Sequence, residues 1–305
     1  MHDRLKKVFA VLVVAAGLIL TLYPWVSNRL FEHATESTAG GYEAVVDSSS
    51  AEELAVYRAE AEAYNTKLLA SEVALTDPFT EKYLTAEYDV EYEDVLDTDG
   101  SGIMCFIEIP KINVYLPVYH GTSSDVLSKG AGHVEGTALP IGTAGGRPVI
   151  SAHTGINSAK MFSDLVDMEE GDLFFIHVLD EILAYRVFDI QVIEPDDVSS
   201  VTAQEDLDLM TLMTCTPYGV NSHRLIVTGE RTEYTEDLQA EADRQEPDSS
   251  SEWMKAYREA LIIALSAIGC IVVLVQCVRL FRKKKWRIPE ENSIDEKQGQ
   301  DEVRK

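Results

Sequence analysis

Cys215, His153 and Arg224 are the residues whose types and positions could do chemistry together. Cys215 follows the apolar run Leu209 to Thr214 and precedes a Thr-Pro-Tyr-Gly turn, so a strand would hold its thiol at a rim. His153 likewise follows an apolar run and precedes a Thr-Gly turn, and Arg224 opens a β-branched run nine residues after the cysteine. Cysteine acyl transfer needs a thiolate, a proton donor for the leaving amine and a positive group for the oxyanion. These three residue types supply that set.

Residue type and position alone leave the roles of these residues open. Cysteine and histidine are common, and Arg224 could equally be a surface ion-pair partner. Metal chemistry is not indicated, because no HExxH or CxxC motif occurs and the remaining histidines lack partners at metal-ligand spacing. We expect these histidines to be solvated or structural: His120, His133, His177 and His223.

Five acidic residues lie close together after His153 and before the next apolar run. Such a group could bind calcium, but it lacks a defined loop pattern of ligands. A solvated face is the simpler explanation, so no metal site is predicted. The residues are Asp164, Asp167, Glu169, Glu170 and Asp172.

The elements that must position the candidate residues are short β-branched runs broken by Gly and Pro, which begin after Gly102. Between them, residues 159 to 166 predict a short helix and residues 130 to 146 a glycine-rich loop. Seven or eight strands of this kind suggest a closed β-barrel. The candidate strands are Ile103–Ile109, Val114–Tyr119, Arg147–Ser151, Leu173–Val178, Ile182–Ile193, Leu209–Thr214 and Arg224–Gly229.

The region before the strands predicts a small, polar spacer at residues 34 to 51 and then a helix from Glu52 to Ala70. Asp77-Pro78-Phe79 follows. Because a proline disfavours helical geometry in the residue before it, we expect Phe79 to lie on a loop. Residues 233 to 252, after the strands, are acidic and poor in bulky apolar groups, which predicts a linker.

Two uncharged apolar stretches bracket the chain, one at residues 8 to 26 and one ending at Val278. Each is long enough for a membrane-spanning helix, which takes about 20 residues. The first could be a cleaved signal peptide, but it is long for one, its exit is aromatic (Tyr23 and Trp25), and no small-residue cleavage site follows. Basic residues flank the outer ends of both stretches, which predicts two cytoplasmic termini and an external middle region.

The chain carries a net charge of −26, and the basic flanks leave the excess of acid between the two spans. Such a surface repels nucleic acid, so no nucleic-acid function is expected.

The four cysteines do not form a disulfide framework. Cys270 and Cys277 lie in the second span, where they could face lipid, contact another helix or be acylated. Cys105, between Met104 and Phe106, is expected to pack in the core. We therefore expect Cys215 to be a free thiol.

Four segments carry a more specific pattern. They are TLMTCTPYGVNSHRLIVTGER around Cys215, SAHTG around His153, SGIMCFIEIPKINVYLPVYHG over the first strands and LSKGAGHVEGTALPIG after them. They resemble, in order, the active-site strand, the histidine loop, the first two strands and the following loop of sortases, most closely class C, the pilus-assembling sortases. The resemblance covers roughly residues 70 to 232. It implies a mainly β fold: a sortase-type closed barrel of seven to eight strands with short helices, here flanked by two transmembrane helices.

The resemblance also implies a cysteine transpeptidase that needs no metal or organic cofactor. Cys215 would attack the Thr carbonyl of an LPxTG-like sorting signal and form a thioester. His153, rather than His223, would protonate the leaving amine, and Arg224 would stabilise the oxyanion and position the substrate. An amine would then take the acyl group: a pilin lysine in class C, or a cell-wall precursor amine in anchoring sortases.

Asp77-Pro78-Phe79 is similar to the class C lid, in which the aromatic ring covers the nucleophile and the Asp meets the catalytic Arg. Taken alone, the tripeptide would simply end a helix. The lid and the second span favour pilus polymerisation over anchoring, and the presence of all three catalytic residue types argues against a silent envelope scaffold. The partners implied are pilins or surface proteins with C-terminal LPxTG-like signals, an acceptor amine and the lipid of a Gram-positive cell membrane.

The predicted organisation places the catalytic domain outside the membrane between two spans. In order, it is a cytoplasmic N-terminus (1–7), a transmembrane helix (8–26), an extracytoplasmic spacer, helix and lid (27–98), the catalytic barrel (99–232), an acidic linker (233–257), a second transmembrane helix (258–278) and a cytoplasmic tail (279–305).

Overall fold

The computed structural model of the protein describes residues 2–70, 77–79, 90–155, 159–197, 201–204, 206–245 and 252–285. The chain divides into two units, Met1–Lys255 and Ala256–Lys305. The first unit contains every strand, and the second contains most of the last helix.

Eight strands form a closed barrel in the order β1-β2-β3-β4-β7-β8-β6-β5, which confirms the predicted fold. Neighbouring strands are antiparallel except for the parallel pairs β2–β3 and β4–β7. The strands are β1 (Ile103–Ile109), β2 (Val114–His120), β3 (Ala131–His133), β4 (Val149–Ser151), β5 (Leu173–Val178), β6 (Glu181–Ile193), β7 (Leu209–Thr216) and β8 (His223–Thr232).

Strand β1 is buried along almost its whole length, since one side faces the barrel interior and the other is covered by a helix. Tyr42 of that helix packs on Phe106, with ring centroids 5.5 Å apart. This two-sided burial explains why the run reads as continuous apolar residues rather than as alternating ones.

Strand β3 lies inside the segment predicted as a glycine-rich loop. It pairs with β2 and β4. A Cβ at Gly132 would come within 2.1 Å of the Gly121 carbonyl oxygen, so only glycine permits this approach. Gly132, one of the glycines on which the loop prediction was based, is therefore the residue that lets β3 pack this closely.

The first helix, α1, runs from His2 to Ser48, so the prediction of a spacer from residue 34 is wrong for most of that segment. Thr35, Ala39, Tyr42 and Val46 are buried on one helical face against the barrel. This packing outweighs the low helix propensity of the two adjacent glycines in the segment.

The second helix, α2 (Ala51–Leu69), agrees with the sequence expectation. Its start is fixed by a capping box, in which Ser50 and Glu53 each bond the other's backbone N–H. The buried Asn65 near its end bonds the backbone of Leu139, which ties the helix to the loop after β3.

Two further expectations differ from the structure. Residues 159 to 166 form turns and the start of a 3₁₀ turn, Leu165–Asp167, rather than a helix; Met161 has a positive φ of 44°, which an α-helix does not permit. The acidic linker contains a helix, Glu236–Asp243, capped by Thr235. Its Leu238 and Ala242 pack against Phe175, and acidic residues suit its first turn.

The remaining α-helices of the described chain are numbered in order. They are α3 (Val90–Asp94), α4 (Ser124–Lys129), the helix in the acidic linker, α5 (Glu236–Asp243), and the last helix, α6 (Glu252–Lys285). Within the described residues, α1 and α6 are long and apolar enough to cross a membrane. These are the two helices in which the sequence places its spans.

Candidate active site

Cys215 and Arg224 lie directly opposite each other on neighbouring strands. Cys215 is the second-last residue of β7, Arg224 is the second residue of β8, and the two are register partners in the antiparallel pair. The side chains of such partners lie on the same face of the sheet, about 5 Å apart at Cβ. This register brings Arg224 beside Cys215, although nine residues separate them in sequence.

His153 reaches the same end of the barrel from β4, which runs parallel to β7. The N–H of Ala152 donates to the Met213 carbonyl (3.2 Å), and the Thr214 hydroxyl donates to the Ala152 carbonyl (2.7 Å). These bonds fix the backbone just before His153 to the strand segment just before Cys215. The three candidate residues thus converge on adjacent strand ends.

Asp77 forms a two-pronged ion pair with Arg224. The guanidinium Nε donates to Oδ1 of Asp77 at 2.8 Å and Nη2 donates to Oδ2 at 2.7 Å. Both residues are buried, with 4% and 7% exposure. The remaining nitrogen, Nη1, donates to the carbonyls of Asn221 and His223. The contact predicted between Asp77 and Arg224 is present, and it occupies the guanidinium.

Phe79 lies between Arg224 and His153. The Arg224 guanidinium carbon is 5.1 Å from the centre of the Phe79 ring, and the His153 ring centre is 6.1 Å from it. The Pro78 carbonyl accepts a bond from the buried Thr122 hydroxyl, which ties the tripeptide to the loop after β2. Asp77, Pro78 and Phe79 therefore lie against Arg224 and His153, where the family resemblance implies a lid. The adjoining residues 71–76 and 80–89 lie outside the described part of the chain.

An apolar cluster borders the site next to Asp77, Pro78 and Phe79. Phe79 packs against it, and Asp77 and Pro78 line a pocket shared with several of its members. Such a surface is suited to an apolar peptide segment. The cluster consists of Val134, Val149, Ile193, Val201, Met213 and Ile226.

Burial keeps both candidate proton carriers neutral in this closed arrangement. It raises the pKa of the Cys215 thiol above its ordinary value; the Arg224 guanidinium opposes this rise in pKa and the Asp77 carboxylate adds to it. Burial also lowers the pKa of His153. At neutral pH the site therefore holds a thiol and a neutral imidazole rather than a thiolate and an imidazolium.

Cys105 and four of the other histidines have structural surroundings. Cys105 is a fully buried free thiol, and burial raises its pKa. His177 contacts Glu108 at 2.7 Å, and His223 contacts Glu194 at 3.3 Å. The ring of His133 bonds the Tyr92 hydroxyl (2.8 Å), and the ring of His120 lies between two backbone carbonyls.

Lysines neutralise part of the acidic cluster. Lys111 pairs with Glu169 at 2.9 Å and with Asp172 at 2.8 Å, and Lys160 pairs with Asp164 at 3.2 Å. Within the described residues, no group of three or more His, Cys, Asp or Glu side chains is placed to hold a metal ion. The cluster is thus an ion-pair network on a partly solvated face.

Arg147 is a supporting residue that sequence reasoning placed only at the start of a strand. Its buried guanidinium donates to the hydroxyls of Thr211 and Thr228 and to the Thr202 carbonyl, at 2.8 to 2.9 Å. It therefore links β4, β7 and β8 to the segment before β7. The sequence signal for this role is an arginine directly before an apolar run, together with a threonine in each of two later strands, Thr211 and Thr228.

Comparison with known proteins agrees with this geometry. A sortase domain model matches residues 107–232. Sortase D of Bacillus subtilis (strain 168) is 27% identical over 230 residues, covering 74% of this chain and 99% of that protein. The structure of sortase C from Streptococcus pneumoniae is 40% identical with a TM-score of 0.61, covering 66% of this chain and 98% of that one. A pilus-related sortase C of Group B Streptococcus is 41% identical with a TM-score of 0.57, covering 63% and 96% respectively.

Proposed function

The chain belongs to the sortase family of cysteine transpeptidases, and we propose that Cys215 is its nucleophile, His153 its general acid and base, and Arg224 its oxyanion-stabilising residue. The observation that carries this assignment is the register pairing of Cys215 with Arg224, with His153 at the end of the adjacent parallel strand. Among the described residues, Cys215 is the cysteine that has both an arginine and a histidine at its strand end.

The proposed reaction begins when the Cys215 sulfur attacks the Thr carbonyl carbon of an LPxTG-like segment and its proton passes to His153. Arg224 stabilises the oxyanion of the tetrahedral intermediate. The carbon–nitrogen bond then breaks, His153 gives its proton to the leaving amine, and a thioester remains on Cys215. An acceptor amine attacks the thioester, His153 takes the amine's proton, and the thiol is restored with a new amide bond.

The lid makes the described arrangement a resting state of this proposed cycle. The oxyanion needs donors from Arg224, but two of the guanidinium nitrogens are bound to Asp77 and its face is covered by Phe79. The lid must therefore move before a carbonyl can reach both the sulfur and Arg224. Opening would also admit the substrate to the apolar cluster.

A pilin lysine is the acceptor that we favour over a cell-wall precursor amine, since the lid is present and the similar streptococcal enzyme is pilus-related. The test uses the full chain in detergent with an LPxTG peptide and equal amounts of two acceptors, a peptide with one internal lysine and a peptidoglycan-type branch peptide. Mass spectrometry should show mainly the lysine-linked product, and none with Cys215→Ala. Exclusive transfer to the branch peptide would assign the chain to anchoring instead.

The membrane orientation is a separate proposal. The chain is membrane-anchored through the two candidate spans, and the basic flanks favour cytoplasmic termini with the barrel outside. Protease added to intact cells should cleave the barrel domain while tags at both termini stay protected. Protection of the barrel domain in cells whose envelope is otherwise accessible would reverse the orientation.

A further inference from the structure

Helix α1 carries both a candidate membrane span and a face that packs on the barrel, within one continuous helix. The apolar run ends at residue 26, and Tyr23 and Trp25 give it the aromatic exit typical of the membrane–water interface. Asn28 lies just beyond. Its side-chain oxygen accepts a bond of 2.7 Å from the backbone N–H of Lys160, in the loop that follows His153.

This contact fixes the height of the loop above the membrane. Trp25 and Asn28 are three residues apart, which along a helix is about 4.5 Å. The headgroup layer on each side of a bilayer is about 5 to 8 Å thick. With the span placed at residues 8 to 26, Lys160 would lie at the level of the headgroups. Pro24, the one proline within α1, comes before this stretch and leaves its length unchanged.

The same end of the barrel holds the candidate active site. Strands β1, β4 and β7 all run in one direction, as their pairings show. Lys160 binds the Ile112 carbonyl after β1, His153 follows β4, and Cys215 is near the end of β7. We call this the site end of the barrel.

The opposite end contacts α1 much further from the span. The Tyr42 hydroxyl donates to the carbonyl of Met104 (3.3 Å), at the start of β1, and accepts from the N–H of Leu179 (3.0 Å), in the turn after β5. Tyr42 is 14 residues beyond Asn28, or about 21 Å along the helix. The helix thus spans the barrel from the site end to the far end.

Exposed apolar side chains are also placed toward the site end. Val166, Val192 and Val220 are 49%, 60% and 69% exposed. Val166 is in the 3₁₀ turn beyond Lys160, Val192 is opposite Leu225 near the start of β8, and Val220 is in the turn between β7 and β8. In the described barrel region, Phe188 is the one other large hydrophobic residue with comparable exposure.

We propose that the site end of the barrel rests on the bilayer surface, with the headgroup layer as its partner and α1 as the rigid support. The chain's acidity makes zwitterionic headgroups the suitable surface, and at this end Lys111 and Lys160 neutralise neighbouring acids. A peptide bordering a membrane-embedded segment would then reach Cys215 without leaving the surface. The inference depends on α1 and its contacts and does not require the proposed transpeptidation.

The test measures the depth of labels on the full chain in phosphatidylcholine vesicles. Val166→Cys and Val220→Cys report on the site end, and Asp180→Cys, an exposed position beside Leu179, is the matched control for the far end. The background carries Cys215→Ala, Cys270→Ala and Cys277→Ala, and each new cysteine bears a fluorophore. Lipids with a nitroxide on the headgroup should remove most of the fluorescence at positions 166 and 220 and little at position 180.

A second variant tests the support itself. Seven helix-forming residues inserted after Val26 raise the barrel by about 10 Å and rotate it by only about 20°. Quenching at positions 166 and 220 should then fall toward that at position 180. Equal quenching at both ends, stronger quenching at position 180, or no effect of the insertion would overturn the proposal. Because the readout is depth, a failure here is distinguishable from a failure of the enzymatic proposal.

Discussion

Replacing Asp77 and Phe79 together by alanine removes the two lid side chains that contact Arg224, and it should expose Cys215 to thiol reagents. A hydrogen bond to a charged group contributes about 1.5 to 3 kcal/mol, and a cation–π contact about 0.5 to 2 kcal/mol. The lower values add up to about 2 kcal/mol of free energy that holds the lid side chains against Arg224. Since 1.4 kcal/mol is a factor of ten, the labelling rate should rise about 30-fold or more.

The pKa of Cys215 should change in the same direction. In the closed site, burial and the Asp77 carboxylate raise this pKa and Arg224 lowers it. Removing the lid side chains admits water and removes the Asp77 carboxylate, and both changes lower the pKa of Cys215. The Arg224 guanidinium, which also lowers this pKa, stays in place. Each unit of decrease multiplies the thiolate fraction by about ten below the pKa, but the weaker nucleophilicity of the thiolate reduces the gain to about three- or fourfold.

The assay follows labelling of the Cys215 peptide by mass spectrometry over a range of pH. The double variant should react faster at neutral pH, and its labelling midpoint should lie at lower pH than in the unchanged chain. Phe79→Ala alone, which keeps the ion pair, should give a smaller gain of about two- to fivefold. Asp196→Ala, which removes an exposed acid near the site, is the matched charge control and should leave the rate unchanged. Equal rates for the double variant and the unchanged chain across this pH range would refute the lid.

Three further substitutions test the roles of single residues. Arg224→Ala should lower peptide cleavage by about 10² to 10³ because an oxyanion donor is lost. Thiol labelling of Cys215 should change much less, because losing the partner of Asp77 exposes the thiol while losing the guanidinium raises its pKa; cleavage that stays within threefold of the unchanged chain would contradict the role of Arg224. Cys105→Ala should keep cleavage and cost about 1 kcal/mol in thermal unfolding, the ordinary cost of a small core change; loss of cleavage in a stable variant would give Cys105 a role that its burial does not suggest. Tyr42→Phe should lower the free energy of unfolding by about 1 to 3 kcal/mol, because the buried Leu179 N–H loses its acceptor; an unchanged stability would show that α1 does not depend on this contact.

Seven of the eight strands were predictable because they are short apolar or β-branched runs in a region broken by Gly and Pro. The predicted bounds of β1 and β5 agree with the structure, β7 extends two residues further at its end, and β8 extends one residue at its start and three at its end. Strand β3 was missed, since its only signal is a close approach that glycine permits and that depends on a distant segment.

Two helical segments that the sequence did not predict depend on tertiary packing. Residues 34 to 48 are small and polar, with two glycines, and are helical because Ala39, Tyr42 and Val46 pack on the barrel. The helix in the acidic linker likewise depends on Leu238 and Ala242 packing against Phe175. Local composition cannot report such contacts. A shortened protein beginning at residue 50 would lose the α1 face and is expected to be less stable.

The sequence predicted which residues belong to the candidate site, but not how they are buried and supported. Strand ends and the family pattern identified Cys215, His153 and Arg224, and the tripeptide pattern identified the partner of Arg224. The neutral resting forms of Cys215 and His153 follow from burial, which only the fold reveals. Arg147 was missed as a support because its three acceptors are at least 55 residues away in sequence.

Mass measurement of an acyl-enzyme tests the central claim most directly. The full chain carrying Asp77→Ala and Phe79→Ala is incubated with an LPxTG peptide, quenched in acid and mapped. We predict an adduct equal in mass to the peptide up to its Thr, located on Cys215 and removed by an added lysine amine. The same chain with Cys215→Ala should show none. Peptide cleavage that persists in the Cys215→Ala chain, or an adduct located on another residue, would contradict the assignment of Cys215 as the nucleophile.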